Sequence, residues 1–155
     1  MNIRIANLKV APEWRIGIVT SRFNDEVTSK LESGAVERLI ELGAKDEQLL
    51  RLSVPGAVEI PLAVQALLKK GCIGVVALGA VIRGETAHFE YVCRSVERGC
   101  SNVALEFGKP VAFGVLTVDN DEQAAERIGG RHGHKGREAA EVVVEMVQLL
   151  KELQL

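Results

Sequence analysis

Residues 73–91 read IGVVALGAVIRGETAHFEY, and the fold is decided there. Residues 73–82 form an unbroken apolar run with a β-branched bias, the pattern of a strand buried on both faces. From Phe89 onward, Val92, Cys93, Val96, Cys100, Val103 and Phe107 recur at helical spacing, which predicts an amphipathic helix. The polar turn between them carries Arg83, Gly84, Glu85, Thr86 and His88. A parallel strand ending in a tight polar turn that opens a helix is where α/β proteins gather their chemistry. Free N–H groups at the helix start favour an anion such as phosphate. Each residue also has a plainer reading. Gly84 would make the turn, Glu85 would favour the positive helix end, and His88 would be an ordinary partly buried histidine. Their concentration at one joint points to a small anionic ligand with acid–base chemistry.

The same alternation extends in both directions. Upstream, residues 14–20 predict a buried strand and 21–25 a polar turn. Residues 27–42 predict a helix ended by Gly43. Residues 49–54 predict a second strand, 55–57 a turn, and 58–70 a second helix with Pro61 tolerated in its first turn. Downstream, residues 111–118 predict a fourth strand. Asn120 and Gln123 resemble a capping box for a short helix reaching about residue 128. Residues 129–136 read as a glycine-rich basic loop, and 137–153 as a last helix. Residues 1–13 alternate weakly and fit an edge strand, on this sheet or on a neighbouring subunit's. The expectation is a three-layer α/β/α, flavodoxin-like fold: a four-stranded parallel sheet, helices on both faces and an extra C-terminal helix. The 73–82 strand should lie inside the sheet, because its apolar run is the least interrupted.

The chain has 155 residues, the size of one domain spanning 1–155. Its formal net charge of -2 gives no general nucleic-acid footprint. Every apolar run is broken by charge or glycine before it could span a membrane. Cys72, Cys93 and Cys100 fit no zinc or CxxC pattern, and Cys93 and Cys100, on the apolar face of the helix, read as core residues. With no signal peptide or disulfide framework, the expected compartment is the reducing cytoplasm.

Right-handed crossovers bring the strand carboxyl ends to one edge. Phe23, Ala57 to Glu59, Arg83 to His88 and the residues after Val118 should converge there. Phe23 can pack locally or stack on a flat ring. Glu59 suits a helix start and can also receive polyol hydroxyls. Arg127 and Lys135 flank the glycine-rich loop, where two cations near helix starts suit a phosphate. His132 and His134 invite a metal reading, but no acid or cysteine joins them at a suitable spacing. The sequence lacks a Walker loop, a G-x-G-x-x-G after the first strand, and a G-x-S-x-G elbow.

Taken together, SRFN (21–24), PGAVEIP (55–61), LGAVIRGETAHFEYV (78–92), PVAFGVLT (110–117), EQAAER (122–127) and KG (135–136) form an ordered set. That set resembles the 6,7-dimethyl-8-ribityllumazine synthase family, from the first strand to the last helix. The resemblance implies condensation of 5-amino-6-ribitylaminouracil with 3,4-dihydroxy-2-butanone 4-phosphate, releasing phosphate and water, without cofactor or metal. It implies that Phe23 stacks on the pyrimidine with Asn24 beside it. Ala57, Val58 and Glu59 would hold the pyrimidine and ribityl chain, and Ala80, Val81 and Ile82 would read the ring through backbone groups. Glu85 and Thr86 would bind the butanone phosphate, and His88 would move protons. Phe113, Arg127 and Lys135 would come from an adjacent subunit of a pentamer, Arg127 facing the phosphate. A sixty-subunit shell and an association with riboflavin synthase are the further assemblies open to such a chain. Rival readings are dismutation of lumazine, a shell protein with a vestigial site, and a flavodoxin-like flavin binder without turnover. One departure bears on assembly. The loop at 129–136 reads GGRHGHKG, where familiar members read close to GTKAGNKG.

Overall fold

A computed structural model describes residues 3–153. Strand β1 (Ile16–Ser21) leads to helix α1 (Asp25–Glu41), β2 (Leu49–Val54) to α2 (Ile60–Lys69), and β3 (Gly74–Ile82) to α3 (His88–Phe107). After β4 (Val111–Val118) come a short α4 (Asp121–Ala125), a small hairpin of β5 (Ile128–Gly130) and β6 (Gly133–His134), and the long α5 (Lys135–Glu152). The main sheet has four parallel strands in the order β2-β1-β3-β4. The apolar run therefore lies inside the sheet, as its uninterrupted character predicts.

Side-chain alternation along β3 divides the core. Val76, Leu78 and Ala80 face one side with Leu31 and Leu39 of α1 and Val143 and Val147 of α5. Val75, Ala77 and Val81 face the other with Ile60 and Val64 of α2 and Val96 and Cys100 of α3. Burial on both faces is what makes a parallel strand apolar throughout. It also makes Cys100 a packing group, its thiol pushed up to about 12 by desolvation.

Several element limits differ from the sequence reading. The β1 ladder begins at Ile16, which pairs with both Leu49 and Gly74. Trp14 precedes it and is buried, its carbonyl accepting a 2.9 Å hydrogen bond from the Gln48 amide. Residues 57–59 make a single 3₁₀ turn before α2 proper. In the expected capping box, Asn120 Oδ1 accepts from Gln123 N at 2.9 Å. The Gln123 side chain reaches one residue further back, accepting from Asp119 N at 2.7 Å. The short helix ends at Ala125, and the glycine-rich loop is a hairpin. Gly129 and Gly133 take φ of 101° and 78°, conformations that favour glycine. Helix α5 starts two residues earlier than expected because His134 caps it: Nδ1 accepts from Arg137 N.

The N-terminal segment does not extend this sheet, whose edges are β2 and β4. It runs along the helices instead: Val10 N donates to Leu42 O at 2.9 Å, and Gln148 Nε2 to Lys9 O at 2.6 Å. Met1 and Asn2 lie outside the described residues.

Candidate active site

The strand order reverses between β1 and β3. In open α/β sheets a crevice forms beyond the strand carboxyl ends at such a switch point. A cavity of about 700 Å³ lies there. Phe23 and Asn24 line it after β1, Ala57, Val58 and Glu59 after β2, and Ala80, Val81 and Ile82 at the end of β3. Thr86, His88, Phe89 and Val92 close it from the turn and first helical residues of α3.

Local structure explains these positions. Asn24 is the one non-glycine residue with positive φ among the described residues, at 66°, a conformation asparagine tolerates. Its amide donates a 2.9 Å hydrogen bond to the Ala80 carbonyl, and Phe23 N donates to Pro55 O at 3.0 Å. The turn is thus held on two sides, and the Phe23 ring stands 72% exposed. That exposure removes the local-packing reading and leaves an aromatic face free for a flat ligand. Glu59 sits in the turn that opens α2, its Oε2 3.7 Å from the place a Cβ on Gly56 would take. A Cβ at 56 would make ordinary van der Waals contact with that carboxylate.

His88 is exposed, so the reading as a partly buried histidine does not hold in a single chain. Ala87 offers no side-chain cap to α3. The Thr86 hydroxyl instead accepts from His88 N at 3.3 Å, leaving its own proton free to donate to an anion. Glu85 does not line the cavity; it lies in an outer groove with Arg83, Glu90, Tyr91 and Arg94.

Phe113, Arg127 and Lys135 lie elsewhere. They line a second cavity of about 470 Å³ along the outer edge of β4, which has only β3 as a neighbour. Arg127 is held there by a 2.9 Å bond from Nη1 to Gln123 O, and Lys135 N bonds Arg127 O at 2.9 Å. Of the residues after Val118, Asp119 meets Arg83 at the carboxyl edge of the sheet, whereas Arg127 and Lys135 line the second cavity at the end of β4 and not the first.

Two further residues line the second cavity: His132, which the sequence offered only for a metal, and Glu138, which escaped the sequence reading. Glu138 follows Lys135 by three residues, so both share a helical face, and that spacing is the signal that was available. His132 Nε2 stands 3.6 Å from Glu126 Oε2, while His134 turns inward to cap α5. Among the described residues no group of three His, Cys, Asp or Glu side chains could hold a metal ion. No described helix is long and apolar enough to cross a membrane.

A family model for 6,7-dimethyl-8-ribityllumazine synthase matches residues 13–151. The chain is 54% identical over 139 residues to the 6,7-dimethyl-8-ribityllumazine synthase of Bdellovibrio bacteriovorus, covering 90% of this chain and 76% of that protein. It is 50% identical over 143 residues to the protein of the same name from Coxiella burnetii, covering 92% and 95%.

Proposed function

The chain belongs to the 6,7-dimethyl-8-ribityllumazine synthase family, and we propose how its own residues carry that reaction. It is a transferase of riboflavin biosynthesis. It condenses 5-amino-6-ribitylaminouracil with 3,4-dihydroxy-2-butanone 4-phosphate to give the lumazine, phosphate and water.

In this reading the larger cavity takes the pyrimidine. Phe23 stacks on the ring, with Asn24 beside it. The backbone of Ala80, Val81 and Ile82 reads the ring edge. Ala57, Val58 and Glu59 hold the ring and the ribityl chain, Glu59 receiving hydroxyls. The butanone phosphate lies at the start of α3 against Glu85 and Thr86. Its ketone then faces the pyrimidine amine beside His88. Amine attack, phosphate loss, tautomerisation and ring closure each move a proton, and an imidazole is the usual side chain for such transfers near neutrality. Holding two reactive substrates in register supplies much of the remaining rate.

The observation that carries this reading is the division of the candidate residues between two cavities of one chain. Phe23, Glu59 and His88 line the first, and Phe113, Arg127 and Lys135 the second. A ring that sets the second cavity of one subunit against the first of the next completes a site at each interface, with Arg127 and Lys135 facing the phosphate. We assign that ring as a cyclic pentamer with heterologous contacts. The free β4 edge and the exposed side chains of Leu62, Tyr91 and Leu105 support burial against a neighbour. Closure of pentamers into a sixty-subunit shell would be governed by the loop at 129–136, and riboflavin synthase is the proposed partner of the assembly. The proposed compartment is the cytoplasm.

The direct test incubates the protein with both substrates, following lumazine absorbance and phosphate release together. Equimolar formation of both is the expected result. Riboflavin formed from lumazine alone would instead mark a dismutase. A yellow protein inert toward both substrates would mark a flavin binder.

A further inference from the structure

Arg83 begins the turn that the proposed function assigns to the phosphate, and a cation in that place invites a role as phosphate ligand. Its contacts point elsewhere. Nε donates to Asp119 Oδ1 at 2.8 Å and Nη1 to Glu90 Oε1 at 2.6 Å. The guanidinium carbon lies 4.4 Å from the centroid of the Phe89 ring, within cation–π range. Its backbone N donates to Val118 O at 2.9 Å. With two carboxylates on one guanidinium, the trio carries no net positive charge to attract a phosphate, and the donors of Arg83 are already engaged.

We propose that Arg83 is a positioning residue, which sets the phosphate-facing turn and the direction of His88 from behind and does not itself bind the phosphate. The proposal rests on the reading of that turn given above. One side chain joins the end of β3, the end of β4 and the first turn of α3, so it closes both ends of residues 84–87. Within that turn Thr86 makes one side-chain hydrogen bond, to His88 N. Glu90 follows His88 by two residues, about 200° around the helix. Drawing Glu90 outward to Arg83 therefore turns His88 toward the cavity on the opposite side.

The three side chains are 45–60% exposed. Ion pairs that exposed add little to folding, so their variants are expected to fold, and the effect should appear in substrate handling. Positioning and direct ligation predict opposite signs when Asp119 loses its charge. If Arg83 positions the turn, Asp119→Asn loosens it and weakens phosphate binding, because the repulsion removed with so exposed a carboxylate is screened at physiological salt. If Arg83 were a ligand, Asp119→Asn would release the guanidinium and strengthen that binding.

The experiment compares the parent protein with Asp119→Asn, Glu90→Gln and Arg83→Lys. Initial rates are measured against each substrate, and inorganic phosphate binding is measured by calorimetry. We expect KM for the butanone phosphate to rise about tenfold with a fall in kcat, on the scale of a small misplacement of reacting groups. KM for the pyrimidine should stay within about twofold, since Phe23 and residues 57–59 are held independently. Lysine keeps the charge but lacks the fork that spans two carboxylates, so Arg83→Lys should resemble Asp119→Asn. Tighter phosphate binding in Asp119→Asn overturns the proposal, and so do three variants with parental constants. An equal rise in both KM values reveals general disturbance of the fold and also overturns it. If the parent makes no lumazine, the assigned reaction fails, while the sign of the phosphate change still decides the role of Arg83.

Discussion

The Asn24 amide donates a 2.9 Å hydrogen bond to the Ala80 carbonyl, tying the turn after β1 to the end of β3 across the point where the strand order reverses. Phe23 owes its exposed position to that tie and to the left-handed backbone of Asn24. Asn24→Gly keeps the conformation and loses the bond. Its stability should fall by about 1 kcal/mol, and pyrimidine affinity should fall with it. Asn24→Ala adds a left-handed penalty of about 1–2 kcal/mol. Urea denaturation of the two variants checks this, and equal stability would remove the backbone argument.

His88→Ala should slow turnover by about ten- to a thousandfold without abolishing it, the scale for one acid–base group when substrate alignment persists. Phe23→Ala should act mainly on pyrimidine affinity through lost stacking. Steady-state kinetics separate the two. A parental rate in His88→Ala, or an unaltered pyrimidine KM in Phe23→Ala, contradicts the assigned roles.

The ring predicts complementation. His88→Ala and Arg127→Ala chains, unfolded and refolded together, should give more activity than either alone, because some interfaces pair an intact His88 with an intact Arg127. Demonstrated subunit mixing without recovery would sink the shared site, and a monomer by sedimentation would do so sooner.

Helices α1 and α5 meet through missing side chains. A Cβ on Gly34 would fall on the His134 ring, and one on Gly136 on the Leu31 carbonyl. Gly34→Ala should cost about 1–3 kcal/mol of stability and disturb the His134 cap of α5. Adding His134→Ser should recover part of that loss, since serine is smaller and still caps. Gly136→Ala should cost more, because backbone cannot step aside as a side chain can. Thermal or urea unfolding of the four proteins tests the ranking.

Glu41 accepts from Arg137 at 2.7 Å and from Arg38 at 3.1 Å. Those bonds, the Arg137 one foremost, hold its carboxyl below the ordinary value of 4.5 despite some desolvation. A carboxyl depressed on folding contributes stability that is present above the unfolded value and lost as pH falls through the folded one. Glu41→Gln should therefore be the less stable protein at neutral pH. The difference should shrink only at pH below 4.5, and urea midpoints across that range would show it. A difference that does not change with pH contradicts the ion-pair origin.

The sequence by itself determined the sheet, the helices and the edge where ligand should lie. Burial periodicity is local: 73–82 is apolar because β3 is covered on both faces, and Phe89 to Phe107 repeat because one side of α3 packs on the sheet. The family motifs also singled out Phe23, Glu59, His88, Arg127 and Lys135. The topology alone left His88 and Arg127 free to share one edge; the tertiary structure sets them in different cavities, because that depends on how α4 and the hairpin fold along the β4 edge. It also turned His134 into a cap lodged against Gly34, and set Arg83 between Asp119 and Glu90. Arg38 and Glu141 meet across 103 residues of chain. A local pattern states which face of an element is buried. Which residue stands opposite is decided when crossovers and helix docking bring distant segments together.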